Sequence, residues 1–279
     1  MCLPACMIQM AERGASRRSF LRKVTAVATA TSPLLAAQLH GEVQTAAITR
    51  FSFRTVVDLT HTLSAGFPFP MDHAFALERI SSRPQAMWNI NRWHFHEHIG
   101  THLDAPFHCS DGDTAERIPA AKLVGPLVVV DIRDRAARDP DTQLTPDDLK
   151  AWERRNGRIP AGAIVAMCSG WDAHVGEAKK FFGRDDKGGF HMPGFHVEAT
   201  QFLHEAREVN GIASDTISLD PGQTSSFPVH HYWLGQNKWG LENVANLGSL
   251  PAQGATIVVG APKILGATGG PSRVLALVD

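Results

Sequence analysis

The chain has 279 residues, 43% of them hydrophobic and 20% charged, with 27 basic and 28 acidic side chains and a formal net charge of −1. Length and apolar content are enough for one substantial core. The balanced charge leaves no basic stripe to neutralise phosphates, so nucleic-acid binding is not supported.

The first 47 residues read differently from the rest. Ser16-Arg17-Arg18-Ser19-Phe20-Leu21-Arg22-Lys23 is a twin-arginine pattern, followed from Val24 by a mildly apolar run and by small residues near Ala46 and Ala47. Residues 1–47 are therefore expected to be an export leader and 48–279 a periplasmic domain. A permanent membrane span is not expected, because the apolar run is short and Pro33 interrupts it. Without the leader the chain keeps 22 basic and 26 acidic residues, a net charge of −4. Cys109 and Cys168 are then the remaining cysteines, and they either form one disulfide or stay as two buried thiols.

Thr55 to Leu59 opens the domain as a strand. Between Gly66 and Trp93 the chain is rich in rings and proline, with Phe67-Pro68-Phe69-Pro70, Trp88 and Trp93; such rings most often pack a core. Next comes His98-Ile99-Gly100-Thr101-His102-Leu103-Asp104-Ala105-Pro106-Phe107-His108. Imidazole nitrogen with carboxylate oxygen is a ligand set for zinc or manganese. Gly100 and Pro106 argue against a helix, so the ligands should converge through a loop or strand end. His98, His102 and Asp104 are the candidate metal ligands, with two oxygens on Asp104 to bridge two ions. His108, just past them, is placed to move a proton as a neutral imidazole. His94 and His96 read as ordinary surface or core histidines.

Further strands are expected at Leu127 to Ile132, Ile164 to Met167, Gly211 to Ala213, Thr256 to Val259 and Val274 to Val278. Thr145-Pro146-Asp147-Asp148 has the capping threonine, first-turn proline and acids that start a helix running to about Arg155. A second helix is expected over Val197 to Val209, with Val197, Phe202, Leu203 and Ala206 on its apolar face. This is one α/β domain with a strand-rich core, and periodicity alone leaves its topology open. Cys109 beside His108 is a poor nucleophile pair, since neighbours in an extended segment point apart, and no G-x-S-x-G elbow occurs.

The eleven-residue string resembles the H-x-G-T-H-x-D-x-P-x-H motif of the cyclase-like metal-dependent hydrolases, the group holding bacterial kynurenine formamidases and isatin hydrolases. Val57-Asp58-Leu59-Thr60-His61, Ser169-Gly170-Trp171-Asp172, Asp215-Thr216 to Asp220-Pro221-Gly222, Phe227-Pro228-Val229-His230 and Leu241-Glu242-Asn243 resemble further segments of that family. The resemblance implies a single-domain α/β swivelling β/β/α fold assembled as a homodimer or homotetramer. It implies one or two Zn2+ or Mn2+ ions, with His98, His102 and Asp104 holding one and Asp104, His230 and Glu242 a second. It also implies hydrolysis of a small aromatic amide, an aryl formamide or a cyclic amide such as isatin, with His108 as proton shuttle. Phe69 stands nearest to a ring that kynurenine formamidases lend to the substrate, and Trp88 and Trp93 are further candidates for that contact. The closing run Gly266 to Arg273 is more like the isatin hydrolase branch, whereas Glu242 agrees with the formamidases. A cyclase or lactonase, or a periplasmic metal-binding protein without turnover, are the other readings.

Overall fold

The computed structural model describes residues 52–71 and 74–279; the expected leader, 1–47, lies outside them. In chain order the described residues form β1 (Thr55–Asp58), β2 (Phe75–Ser81), β3 (Ile90–Phe95), β4 (His102–Asp104), β5 (Val124–Asp131), α1 (Arg133–Ala136), β6 (Gln143–Leu144), α2 (Pro146–Asn156), β7 (Ile164–Cys168), α3 (Ala178–Phe181), β8 (Gly194–Phe195), α4 (Val197–Arg207), β9 (Gly211–Ser214), α5 (Pro228–Gly235), β10 (Trp239–Glu242), β11 (Ala255–Gly260), β12 (Gly269–Pro271) and β13 (Arg273–Val278). No helix among them is long and apolar enough to cross a membrane.

Nine strands make one sheet in the order β1-β13-β11-β5-β7-β9-β10-β4-β12. The run from β5 through β7 and β9 to β10 is parallel, and both flanks are antiparallel. Only Ser272 separates β12 from β13 in the chain, yet they take the last and the second places in the sheet. The sheet must therefore curl back on itself, and a bridge from Thr60 to Val244 ties its two ends.

Side chains alternate across a strand, so the curl has two apolar faces. Leu127, Val129, Ile164, Ala166, Ala213, Leu241, Ile257 and Val274 pack inside it with Leu103. Val128, Val130, Val165, Met167 and Ile212 face outwards under Leu149 and Trp152 of α2, Leu203 of α4 and Trp233 of α5. Strands covered on both faces read as continuous apolar runs, which is why the central strands were legible. Full burial of each such side chain contributes about 1.5–3 kcal/mol.

The expected strands are present, with shifts at their ends. The fifth begins at Val124 rather than Leu127, because Pro126 pairs with β11 alone; β7 joins only from Leu127 onwards, so no ladder needs the missing N–H. Helix α2 starts as its sequence indicates, with Thr145 and Asp148 in a capping box and Pro146 in the first turn. Helix α4 stops at Arg207, two residues short of the expectation, as Glu208 turns left-handed at φ 54. Its buried residues are Ala199, Thr200 and Leu203, and Val197 and Phe202 of the expected face pack partly buried against the same outer cluster. Cys109 and Cys168 are free thiols, which corrects the disulfide alternative. The physical reason is that Cys168 belongs to the inner cluster while Cys109 packs against the outer one.

Candidate metal centre

The short strand β4 is the foundation of the site. Alternation puts His102 and Asp104 on one side and Leu103 into the inner core. Antiparallel pairing with β10 sets Glu242 directly opposite His102. His98 reaches the same place through a turn at Gly100, whose φ of 68 suits glycine. On the far side, Pro106 opens a single 3-10 turn, Pro106–His108, which folds His108 back over His98 with ring centroids 3.9 Å apart. His230 comes from the first turn of α5. The loop and strand-end geometry expected for His98 to His108 is thus the one observed.

Each of the three imidazoles, two buried and His98 half-buried, has its outer nitrogen engaged. His102 Nδ1 donates to Gly100 O (2.8 Å), and His230 Nδ1 lies 2.6 Å from Asp220 Oδ2. His98 Nε2 is 2.9 Å from Thr268 Oγ1. The inner nitrogens then converge on two carboxylates. His98 Nδ1 is 2.6 Å from Asp104 Oδ1, His102 Nε2 is 3.3 Å from both Asp104 Oδ1 and Glu242 Oε2, and His230 Nε2 is 3.0 Å from Glu242 Oε1 and 3.6 Å from Asp104 Oδ2. Such outer partners fix which nitrogen of a metal-binding histidine is bare.

Charge makes the same case. Asp104 and Glu242 are almost fully buried, and burial alone would raise both carboxyls. The neighbouring imidazoles outweigh it: His102 holds Asp104 well below the ordinary value, and His102 and His230 lower Glu242. In return, burial works against charge on His102, but Asp104 and Glu242 overcome it and lift His102 to about 10. The cluster thus gathers positive charge around two buried anions. His102 Nε2 and Asp104 Oδ2 are buried without a hydrogen-bond partner, and unpaired buried polar atoms are costly. A divalent cation would supply the charge and satisfy both atoms. The donor atoms of His102, Asp104 and Glu242, and those of His98, Asp104 and His108, lie within 4.8 Å of one another. The residues present therefore fit a metal ion.

His108 is exposed on the cavity side, and desolvation by the groups packed around its ring still lowers it from 6.5. It borders a cavity of about 720 Å3 that also touches Glu242 and His230 and is walled by Phe190, Met192, Ile217, Pro221 and Phe227. Phe227 is held at φ 47 immediately before Pro228, a strained conformation for an aromatic residue. Phe69 stacks on His96 at 5.0 Å, one ring away from His98, and its neighbour Pro70 reaches the cavity. Trp88 and Trp93 are not brought there. They sit on the β2–β3 hairpin, 40% and 67% exposed, away from the cavity wall.

Sequence reasoning named no role for Asp220, Thr268 or Phe227. Asp220 stood inside a quoted motif, and its place before Pro221 was the available signal; its carboxylate accepts from Val229 N and His230 N as well as facing the ring. Thr268 lies 170 residues from His98, and no local pattern joins them.

Residues 57–221 match the family model named Cyclase. The isatin hydrolase of Roseibium aggregatum is 36% identical over 246 residues, 80% of this chain and 91% of that protein. The kynurenine formamidase of Bordetella petrii is 27% identical over 190 residues, 67% of this chain and 81% of that protein. Among solved structures, isatin hydrolase A from Ralstonia solanacearum is 39% identical with a TM-score of 0.75, covering 81% of this chain and 92% of that one.

Proposed function

The chain belongs to the cyclase family, and on that premise we propose that it is a metal-dependent amidohydrolase that opens the C–N bond of a small cyclic aryl amide such as isatin. The observation that carries this reading is the convergence of the inner nitrogens of three imidazoles on Asp104 and Glu242 beside an apolar cavity, with His108 lying over His98. Two features favour a neutral ring over an amino-acid formamide. The isatin hydrolase likeness is stronger and longer than the formamidase one. Among the described residues that wall the cavity, none is Lys or Arg, so a substrate carboxylate would meet no fixed cation there.

In this reading His98, His102 and Asp104 would hold one divalent ion, Zn2+ or Mn2+, and Asp104, His230 and Glu242 would hold a second. Such an ion would supply a Lewis acid, lowering the pKa of water towards neutrality and polarising an amide carbonyl. His108, on the cavity side of the cluster, would take a proton from the attacking water and return it to the departing nitrogen. Its lowered pKa keeps it neutral and ready as a base near pH 7. Phe190, Met192, Ile217 and Phe227 pack the flat ring and exclude water around it. Phe69 packs on His96, and its neighbour Pro70 lines the cavity. Trp88 and Trp93 serve a substrate only across a subunit contact, in keeping with a homodimer or homotetramer. The twin-arginine pattern of residues 1–47 assigns the mature enzyme to the periplasm, where it arrives folded and loaded with metal.

The test is kcat/KM of the metal-loaded enzyme on isatin, N-formylkynurenine and an aryl lactone. Isatin is expected to be the best of the three. A higher value for the formamide or the lactone would overturn the substrate assignment, and no turnover of any would favour a metal-binding protein.

A further inference from the structure

His98 differs from the other two histidines in what holds its outer nitrogen. His102 leans on a backbone carbonyl and His230 on a carboxylate, both of which can only accept. His98 leans on the hydroxyl of Thr268, which can donate or accept. The direction is fixed one step further out. Glu97 Oε2 receives both the Thr268 backbone N–H, at 3.3 Å, and the Thr268 hydroxyl, at 2.5 Å. The hydroxyl has a single proton, and it goes to Glu97. Toward His98 the same oxygen can offer only a lone pair, so His98 must donate from Nε2. Nδ1, 2.6 Å from Asp104 Oδ1, is then the nitrogen that can exchange its contact with the carboxylate for a cation.

The backbone is shaped for this approach. Thr268 is followed by Gly269, which pairs with Asp104 across the β12–β4 ladder. A Cβ at Gly269 would collide with the Leu103 carbonyl and come within 2.9 Å of His98 Cε1. Glycine there lets the strand lie flat against the imidazole and carries the threonine hydroxyl to its far edge.

We propose that Glu97 and Thr268 form a positioning relay for His98, committing its proton to Nε2 so that Nδ1 is the atom that binds the ion. The proposal rests on reading the site as a metal centre, and it makes Thr268 and Glu97 determinants of metal affinity although neither touches the ion. Neutral histidine otherwise samples both protonation isomers, and the wrong one presents a proton where a ligand atom is needed.

The experiment uses the full chain loaded with Zn2+ and challenged with graded chelator, with 15N spectra of the histidine rings recorded alongside. Thr268→Val keeps the shape and removes the hydroxyl. It should weaken zinc retention by about 10–100-fold, the usual effect of losing an outer partner of a metal-binding histidine, and a share of His98 should bind zinc through Nε2. Thr268→Ser restores the hydroxyl and should restore parental retention. Glu97→Ala frees the Thr268 proton to point at Nε2, so it should raise the Nδ1–H form further than Thr268→Val does. Parental zinc retention in Thr268→Val, or a Ser variant as weak as the Val variant, would overturn the relay. A parent chain that binds no zinc would instead overturn the metal centre itself, so the two failures are distinct.

Discussion

His108 lies over the ring of His98 with centroids 3.9 Å apart and planes tilted by 33°. Stacked in this way, His108 faces the cavity while His98 points its Nδ1 at Asp104. One ring is turned to the cavity and the other to a buried carboxylate, and the roles proposed for them separate experimentally.

His108→Ala should retain metal and lose about 10²–10⁴-fold in kcat, the range for removing a general acid or base. The pH profile gives the sign. His108 opens to the cavity, but desolvation by the groups packed around its ring lowers it below 6.5, so the neutral base persists through neutrality and is protonated only as pH falls further. The acidic limb of kcat/KM should therefore lie below pH 6.5 and vanish in the alanine variant. Metal content measured beside rate checks the assignment: a metal-free variant would make His108 a ligand.

Glu242→Gln tests the second ion. The glutamine can still accept from Leu219 N, as Glu242 Oε1 does at 3.0 Å, so the local fold should survive. The loss of charge should lower occupancy at saturating metal from two ions per chain towards one, read by elemental analysis against protein concentration. An unchanged ratio would remove Glu242 from the ligand set.

Arg17→Lys with Arg18→Lys tests export. Paired arginines act as a receptor-read address rather than as general charge, so the double variant should accumulate in the cytoplasm while the parent is recovered from the periplasm. Cell fractionation with an activity assay decides it, and equal periplasmic levels would contradict the leader reading.

The ligand segment was legible because its chemistry is local: His98, His102, Asp104 and His108 fall within eleven residues, and Gly100 and Pro106 exclude a helix. The central strands were legible because both faces are covered and their apolar runs are unbroken. The order of strands was not, since it depends on pairings such as β10 with β4 that join residues far apart in the chain. Helix α5 was missed because Pro228 to Gly235 is short and carries three aromatic or β-branched residues that weaken the helical signal. Its register comes from Asp220, which accepts from the N–H groups of Val229 and His230. The aromatic readings show the same limit. Rings near Phe69 and Trp93 were visible as composition, while the rings that wall the cavity, Phe190 and Phe227, come from segments whose approach only the fold defines.

The central claim is that Asp104 anchors a metal centre with His98 Nδ1 and His102 Nε2 as its nitrogen ligands and His108 free. Anomalous scattering from crystals of the metal-loaded enzyme tests it most directly. With zinc, the account predicts a peak about 2.0–2.1 Å from His98 Nδ1 and His102 Nε2, in contact with Asp104 and clear of His108. A peak ligated by His108 in place of His98, or no peak beside Asp104, would contradict it.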